Sequence, residues 1–250
     1  MKSLSSARRN DLQGPVLILG AGCALALALA SRLERQGIPV CGVCRTVPGL
    51  KAARQNGTTC LPLESPEDIS LLCERMLGAP PAAYVDAMHS RFESLLAQAA
   101  PERLDRWATE DIGLRARCLR AVTRSMLARR RGRCLFLSST AAERPAPGQA
   151  FYAAAKLAGE SLFRSIGLEL AGRGVTACIL RLGLVDSGRG RDFLEKRPDA
   201  RIREIFPTGR TISEEEAVSA MLFLLNPENS AVNASVMTLD GGFSAVKPLL

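Results

Sequence analysis

The chain carries a single histidine, His89, among 250 residues. Zinc is held by sets of Cys, His and carboxylate ligands, and one imidazole leaves a metal centre little to draw on. Aromatics are equally scarce, at 4% of the chain. With no recognised binding motif beside them, DNA and RNA are poor candidates for a partner. There is no Pro/Gly/Ser-rich linker, no internal repeat, and no apolar stretch long and uninterrupted enough to be a membrane span. What is present is 47% hydrophobic content, enough to bury the core of one full-sized domain. Residues 14–250 read as that domain, and 1–13 as a flexible extension.

The net charge is +8, and the cations are overwhelmingly arginine. That charge favours an acidic ligand or partner, although it is spread along the chain rather than gathered in a tail. Eight cysteines lie mostly inside apolar runs such as "VCGVCRT" and "CLFLSS". They read as small buried hydrophobes in a reducing compartment, and the expected location is cytoplasmic. Cys41 and Cys44 form a C-x-x-C, but three apart on a strand they point to opposite faces. The opening "MKSLSSARRNDLQG" and the apolar run behind it imitate a secretory signal. Asp11, Gln13, Gly20 and Gly22 interrupt that pattern, and the run serves better as strand, glycine turn and helix.

The order of elements supports this. "GPVLILG", "IPVCGVCR", "NGTTCLPLE", "AAYVDAM", "GRCLFLSS", "VTACILRLG" and "ASVMTLDGG" read as seven short strands. Helices are predicted in "ALALALASRLERQG", in "SPEDISLLCERML" with Ser65 as cap, over roughly 102–130, over 151–174, and in "SEEEAVSAMLFLL". Strands alternating with helices imply a doubly wound α/β fold, a Rossmann-type parallel sheet of about seven strands covered on both faces. Such sheets bind ligands at the carboxyl ends of their strands.

Within the 151–174 helix, Tyr152 and Lys156 stand at i and i+4 on one face. A phenol titrates near ~10 and donates poorly at neutral pH, and a neighbouring ammonium lowers that value. The pair can act as a tuned acid/base. Ser138 and Ser139 end the preceding strand, where a hydroxyl can hold a carbonyl oxygen.

The spacing of Ser139, Tyr152 and Lys156 resembles the catalytic triad of the short-chain dehydrogenase/reductase family. The likeness runs over residues 14–245. "RGRCLFLSSTAAERPAPGQAFYAAAK" is similar to the same region of bacterial beta-ketoacyl-acyl carrier protein reductases. The C-terminal "FPTGRTISEEEAVSAMLFLLNPENSAVNASVMTLDGGFSA" follows the family closely. The resemblance implies that Tyr152 protonates a nascent alkoxide, Ser139 binds the substrate oxygen, and Lys156 lowers the tyrosine's pKa and holds a nicotinamide ribose. It implies a cofactor track through Gly20, Gly22, Cys23, Ala24 and Leu25, then Tyr152 and Lys156, then Gly183 and Val185 after the sixth strand. Arg45, ending the second strand, would accommodate a 2′-phosphate and favour NADPH over NADH. The basic run Arg129, Arg130, Arg131 and Arg133, with Arg173, matches the surface where family members dock an acidic carrier protein, a task that suits arginine.

Several family features are altered. Only the first glycine of the family's loop is retained in place, and Ala24 stands where backbone approaches phosphate. Pro62-Leu63 replaces an adenine-contacting aspartate, and Leu182 a proline. "DAMH", Asp86 to His89, replaces N-N-A-G, which puts His89 close to the cofactor. The relay asparagine falls in "EDIG", at Gly113. Residues 187–206 occupy the substrate-lid region. The leading expectation is an NADPH-dependent reductase of 3-oxoacyl thioesters on an acyl carrier protein, working as a homodimer or homotetramer without nucleic acid, membrane or metal. Two alternatives stay open: a reductase of a free small-molecule ketone or sugar, and a catalytically weak subunit paired with an active reductase.

Overall fold

The computed structural model describes residues 12–89, 92–196 and 206–245. Short apolar runs form seven strands, namely β1 (Val16–Leu19), β2 (Val40–Cys44), β3 (Cys60–Pro62), β4 (Ala83–Asp86), β5 (Gly132–Ser139), β6 (Val175–Leu182) and β7 (Val236–Leu239). They build one parallel sheet in the order β3-β2-β1-β4-β5-β6-β7. Val16 of β1 is flanked by Val40 and by Ala83, both in parallel register. The order reverses at β1, so β1 and β4 diverge into helices on opposite sides. The crevice at their carboxyl ends is the natural ligand position of such a sheet.

The crossovers are α1 (Ala24–Arg35), α2 (Val47–Gln55), α3 (Ile69–Leu77), α4 (Pro101–Trp107), α5 (Leu114–Ala128), α6 (Ala150–Leu170), α7 (Arg189–Glu195) and α8 (Glu214–Leu225). A π-helical turn, Ala108–Gly113, joins α4 to α5. Because successive strand residues face opposite sides, the sheet feeds two cores. Ile18, Val85, Leu135 and Leu180 pack with α1 and α8, while Leu17, Leu19, Phe136 and Ile179 pack under α3, α5 and α6. Cys44 belongs to the first core and Cys41 to the second, as their spacing predicts. All eight cysteines are free thiols, seven of them buried. A side chain on Gly159 would collide with the Phe136 ring. That bare position lets α6 lie close on β5 and brings its first two turns up to the end of that strand.

Three details differ from the sequence expectation. Helix α2 was not anticipated; Thr46 caps it by accepting from the Gly49 N–H, and Pro48 sits in its first turn. Ser65 does not cap α3. Its hydroxyl turns to the Glu67 carboxylate at 3.2 Å, and Pro66–Asp68 form a separate 3-10 turn before Ile69. Of the extension, residues 1–11 lie outside the described residues, but Leu12 is buried and Gln13 accepts a hydrogen bond from Arg131, so both belong to the domain. Among the described residues, no helix is long and apolar enough to cross a membrane, and no cluster of metal-ligating side chains occurs.

Candidate active site

At the carboxyl end of β5, strand alternation sends the two serines to different fates. Ser138 is buried and donates to the Glu160 carboxylate at 2.6 Å, which also takes Arg181 at 2.6 Å. Ser139 faces the crevice, caps the next turn by accepting from the Ala141 N–H, and lies near enough to the Tyr152 phenol to ease its ionisation. Ser139 is therefore the serine available to a ligand oxygen. One helical turn on, Lys156 is buried, with Nζ donating to the carbonyls of Leu137 at 2.7 Å and Met88 at 3.1 Å. The three residues that the sequence singles out do converge.

Their electrostatics depart from the simple expectation. Burial pushes the Tyr152 phenol up; the nearby Ser139 hydroxyl and the Arg189 guanidinium pull it back, and Glu93 adds a small push. Lys156 stands 5.8 Å from the Tyr152 ring centroid. Its own value is pushed down to about 7, first by burial and then by Arg115. The lysine is not the unconditional cation that the spacing alone implies.

The segment after β4 explains why. Asp86 is wholly buried; it accepts from the Met88 N–H at 2.9 Å and from Arg115 Nε at 2.7 Å. Arg115, on α5, is buried too. Removing one partner of such a pair costs about 3–5 kcal/mol, because it strands a charge in the interior. Sequence reasoning marked the loss of N-N-A-G here but not this replacement. An arginine in "GLRARC" reads as one more surface cation until the fold turns it inward. The acidic side chain that "EDIG" buries is Asp111, in the π-helical turn, while Gly113 sits beside it with no side chain to offer. His89 is half-buried just beyond Met88.

The other half of the crevice can be tested for a dinucleotide. Gly20 has φ +79, and a side chain there would strike the backbone of Ala87 and Met88, so the turn after β1 needs glycine. Cys23 stands at the start of α1 without capping it, its thiol turned to the Ala87 carbonyl, and the Ala24 and Leu25 amides that follow have no intrahelical acceptor, the usual anion-binding arrangement of a helix start. A cavity of about 510 Å³ opens beyond the ends of β2 and β3, with Arg45, Thr46, Leu63 and Glu110 on its walls. It suits an adenosine. Gly183 and Val185 follow β6; Gly183 lies against Asp240, and Val185 bridges to Ile212. The donor set fits a dinucleotide.

Two places are tight. A side chain on Gly22 would fall inside the Gly49 backbone of α2. A Cβ on Gly188 would lie 3.0 Å from the Ala24 methyl, so the loop after β6 touches the start of α1 where a diphosphate would pass. Arg45 is already engaged: it donates to the Glu110 carbonyl at 2.9 Å and lies 3.6 and 3.7 Å from the Glu110 and Asp111 carboxylates. Asp111 Oδ1 is otherwise a buried oxygen without a hydrogen bond.

Of the lid region, Ser187–Lys196 and Phe206 are described, and 197–205 lie outside. Arg189 of α7 pairs with Glu93 and stands 5.9 Å from the Tyr152 ring centroid. The proposed docking arginines are not beside this site. Arg129 and Arg130 precede β5, and Arg173 precedes β6. With about 3.3 Å per strand residue, Ser139 is roughly 23 Å away along β5. Arg129 is also tied to the Pro81 and Ser125 carbonyls. The Arg130 carbonyl packs on Gly174, which brings the backbone of Arg130 beside that of Arg173, whereas Arg131 donates to Gln13 and Arg133 is buried on the Leu224 and Asn229 carbonyls.

A doubly wound sheet with a Ser–Tyr–Lys set at its switch point is the architecture of a dinucleotide-dependent oxidoreductase. Residues 87–244 match the family described as Enoyl-(Acyl carrier protein) reductase. The chain is 27% identical over 241 residues to the 3-oxoacyl-[acyl-carrier-protein] reductase FabG of Vibrio cholerae, covering 93% of this chain and 98% of that one. It is 33% identical over 132 residues to an inactive 2-(S)-hydroxypropyl-CoM dehydrogenase 2 of Xanthobacter autotrophicus, covering 51% and 57%. A 3-oxoacyl (acyl-carrier-protein) reductase of Agrobacterium tumefaciens C58, solved with NADP bound, superposes with a TM-score of 0.82 at 24% identity, covering 96% and 99%. This chain belongs to the short-chain dehydrogenase/reductase family of NAD(P)-dependent oxidoreductases.

Proposed function

We propose that the protein is a carbonyl reductase of 3-oxoacyl thioesters carried on an acyl carrier protein, using NADPH in preference to NADH. One juxtaposition carries the reading: Ser139 and Tyr152 meet at the end of β5, where the serine eases the phenol's ionisation, with Lys156 one turn behind them on the Leu137 and Met88 carbonyls. Ser139 holds the substrate oxygen. Tyr152 delivers its phenolic proton to that oxygen as negative charge develops on it. Lys156, fixed between two backbone carbonyls, lies where it can hold a ribose hydroxyl. A bound nicotinamide supplies the hydride, a chemistry that belongs to the cofactor. Ala24 and Leu25 amides would take the diphosphate, and Arg45 the 2′-phosphate in exchange for Glu110.

The relatives from Vibrio and Agrobacterium, named for 3-oxoacyl carrier-protein reduction, support the substrate class. Arg130 and Arg173 offer the acidic carrier a paired cationic edge. Because that edge is remote from Ser139 within one chain, docking there requires a dimer or tetramer in which one subunit's edge adjoins another's crevice. Eight free thiols fit the reducing cytoplasm. A second reading, a cofactor-poor subunit of an active reductase, is favoured by the Ala24–Gly188 contact alone. The test is consumption of NADPH against NADH over a 3-oxoacyl thioester panel, with calorimetric titration of each dinucleotide. Turnover with NADPH supports the first reading. The absence of any dinucleotide binding overturns it in favour of the second.

A further inference from the structure

Two cations share one small space behind Tyr152. Arg115 places Nη2 on the Met88 carbonyl at 3.0 Å and Nη1 on the carbonyls of Asp111 and Ala155 at 3.1 and 3.3 Å. Lys156 Nζ binds the same Met88 carbonyl. Both stand over the Phe136 ring, the guanidinium 4.9 Å and the amine 5.1 Å from its centroid. A guanidinium in a protein keeps its proton, whereas an amine can release one. Mutual repulsion in this dry site therefore falls on the lysine.

The remaining charged and titratable neighbours of Lys156 come from three further elements and from its own helix. Asp86 of β4 favours its charged form, as does Cys23 at the start of α1, whereas Arg189 of α7 opposes it. Tyr152 lies on its own helix. Arg115 also eases the ionisation of Tyr152, in company with Arg189.

We propose that Arg115, braced by Asp86, is a positioning residue that supplies the site's permanent positive charge, and that Lys156 is in consequence a proton-exchanging amine rather than a fixed cation. The step is the gain or loss of one proton between the Lys156 amine and solvent, with no change of oxidation state. Its catalytic consequence rests on the reductase reading above, but the protonation behaviour does not.

The test uses the full chain without cofactor. The sequence holds five lysines, so lysine labelled with 13C at Cε gives few NMR signals, and Lys156→Met assigns the relevant one. Wild type should show a Lys156 midpoint near neutrality. Arg115→Met should move it up by about one pH unit, and Asp86→Asn should move it down. Arg115→Gln, neutral and of similar length, should raise it as Arg115→Met does. Opposite shifts in the first two variants support the proposal; shifts of the same sign, or none in Arg115→Met, overturn it. Should Arg115→Met fail to fold by near-UV circular dichroism, Arg115→Gln decides: a midpoint that is unchanged or lowered in it overturns the proposal. In active enzyme, the neutral limb of the kcat pH profile should follow the same midpoints. Lack of turnover in wild type would sink the reductase reading while leaving the NMR result to stand or fall by itself.

Discussion

The two ends of the crevice are built on different terms. At the β5–α6 end, function resides in side chains, and Ser139, Tyr152 and Lys156 are all present and converge. At the β1–α1 end, function resides in backbone access, and the sequence has exchanged glycine for Ala24. The fold answers with bare positions elsewhere: Gly49 receives Gly22, and Gly188 meets Ala24. Side-chain chemistry can be carried by three letters at the right spacing. Backbone access is a property of pairs of segments remote in sequence, and one altered letter says little until its partner is known.

The largest expected effect separates the ends outright. Tyr152→Phe should lower kcat by about a thousandfold while dinucleotide affinity stays within a factor of about two, read by steady-state kinetics and calorimetry. Equal loss of binding would mean that the ends are not separable. Next comes stability. Adding a methyl in Gly22→Ala should destabilise the fold by about 1–3 kcal/mol, since the Gly49 backbone has no room to yield, and a thermal melt measures it.

Lys156 links stability to pH at the other end. Its folded value of about 7 lies below that of an exposed amine, so the unfolded chain binds the extra proton from about pH 7 upward. Stability from this group is therefore lowest below pH 7 and climbs as pH rises toward the amine's ordinary range. Urea unfolding of wild type against Lys156→Met from pH 6.5 to 9 should show that slope only in wild type.

Smaller effects refine the cofactor end. Ala24→Gly should open the contact with Gly188 and tighten NADPH binding on the order of tenfold; unchanged affinity would show that this contact does not limit entry. Arg45→Ala should reduce the preference for NADPH only severalfold, because Glu110 and Asp111 already neutralise much of that charge.

Much of the architecture was legible in the sequence. Seven apolar runs separated by amphipathic segments specify a parallel sheet because its inner strands, β1, β2, β4, β5 and β6, are buried on both faces. Helix α2 escaped notice because a short helix on the surface has a weak apolar face, leaving only Thr46 and Pro48 as signals. The Ser–Tyr–Lys set was legible from spacing; its charge balance was not. Asp86 and Arg115 lie on different elements, and nothing local marks either as buried. The same holds for Glu160 and Arg181, which withdraw Ser138 from the crevice. Arg129, by contrast, looked free in sequence and is tied to the backbone of its own neighbourhood.

The central claim is that Tyr152 and Ser139 face a reduced nicotinamide across a carbonyl group. The direct measurement is a single turnover of a 3-oxoacyl thioester with NADPH deuterated at C4 of the nicotinamide, followed by mass analysis of the product. Wild type should place deuterium at C3 of the 3-hydroxyacyl product, and Tyr152→Phe should do so about a thousandfold more slowly. Wild-type product without label, or the same labelling rate in both proteins, would contradict the claim.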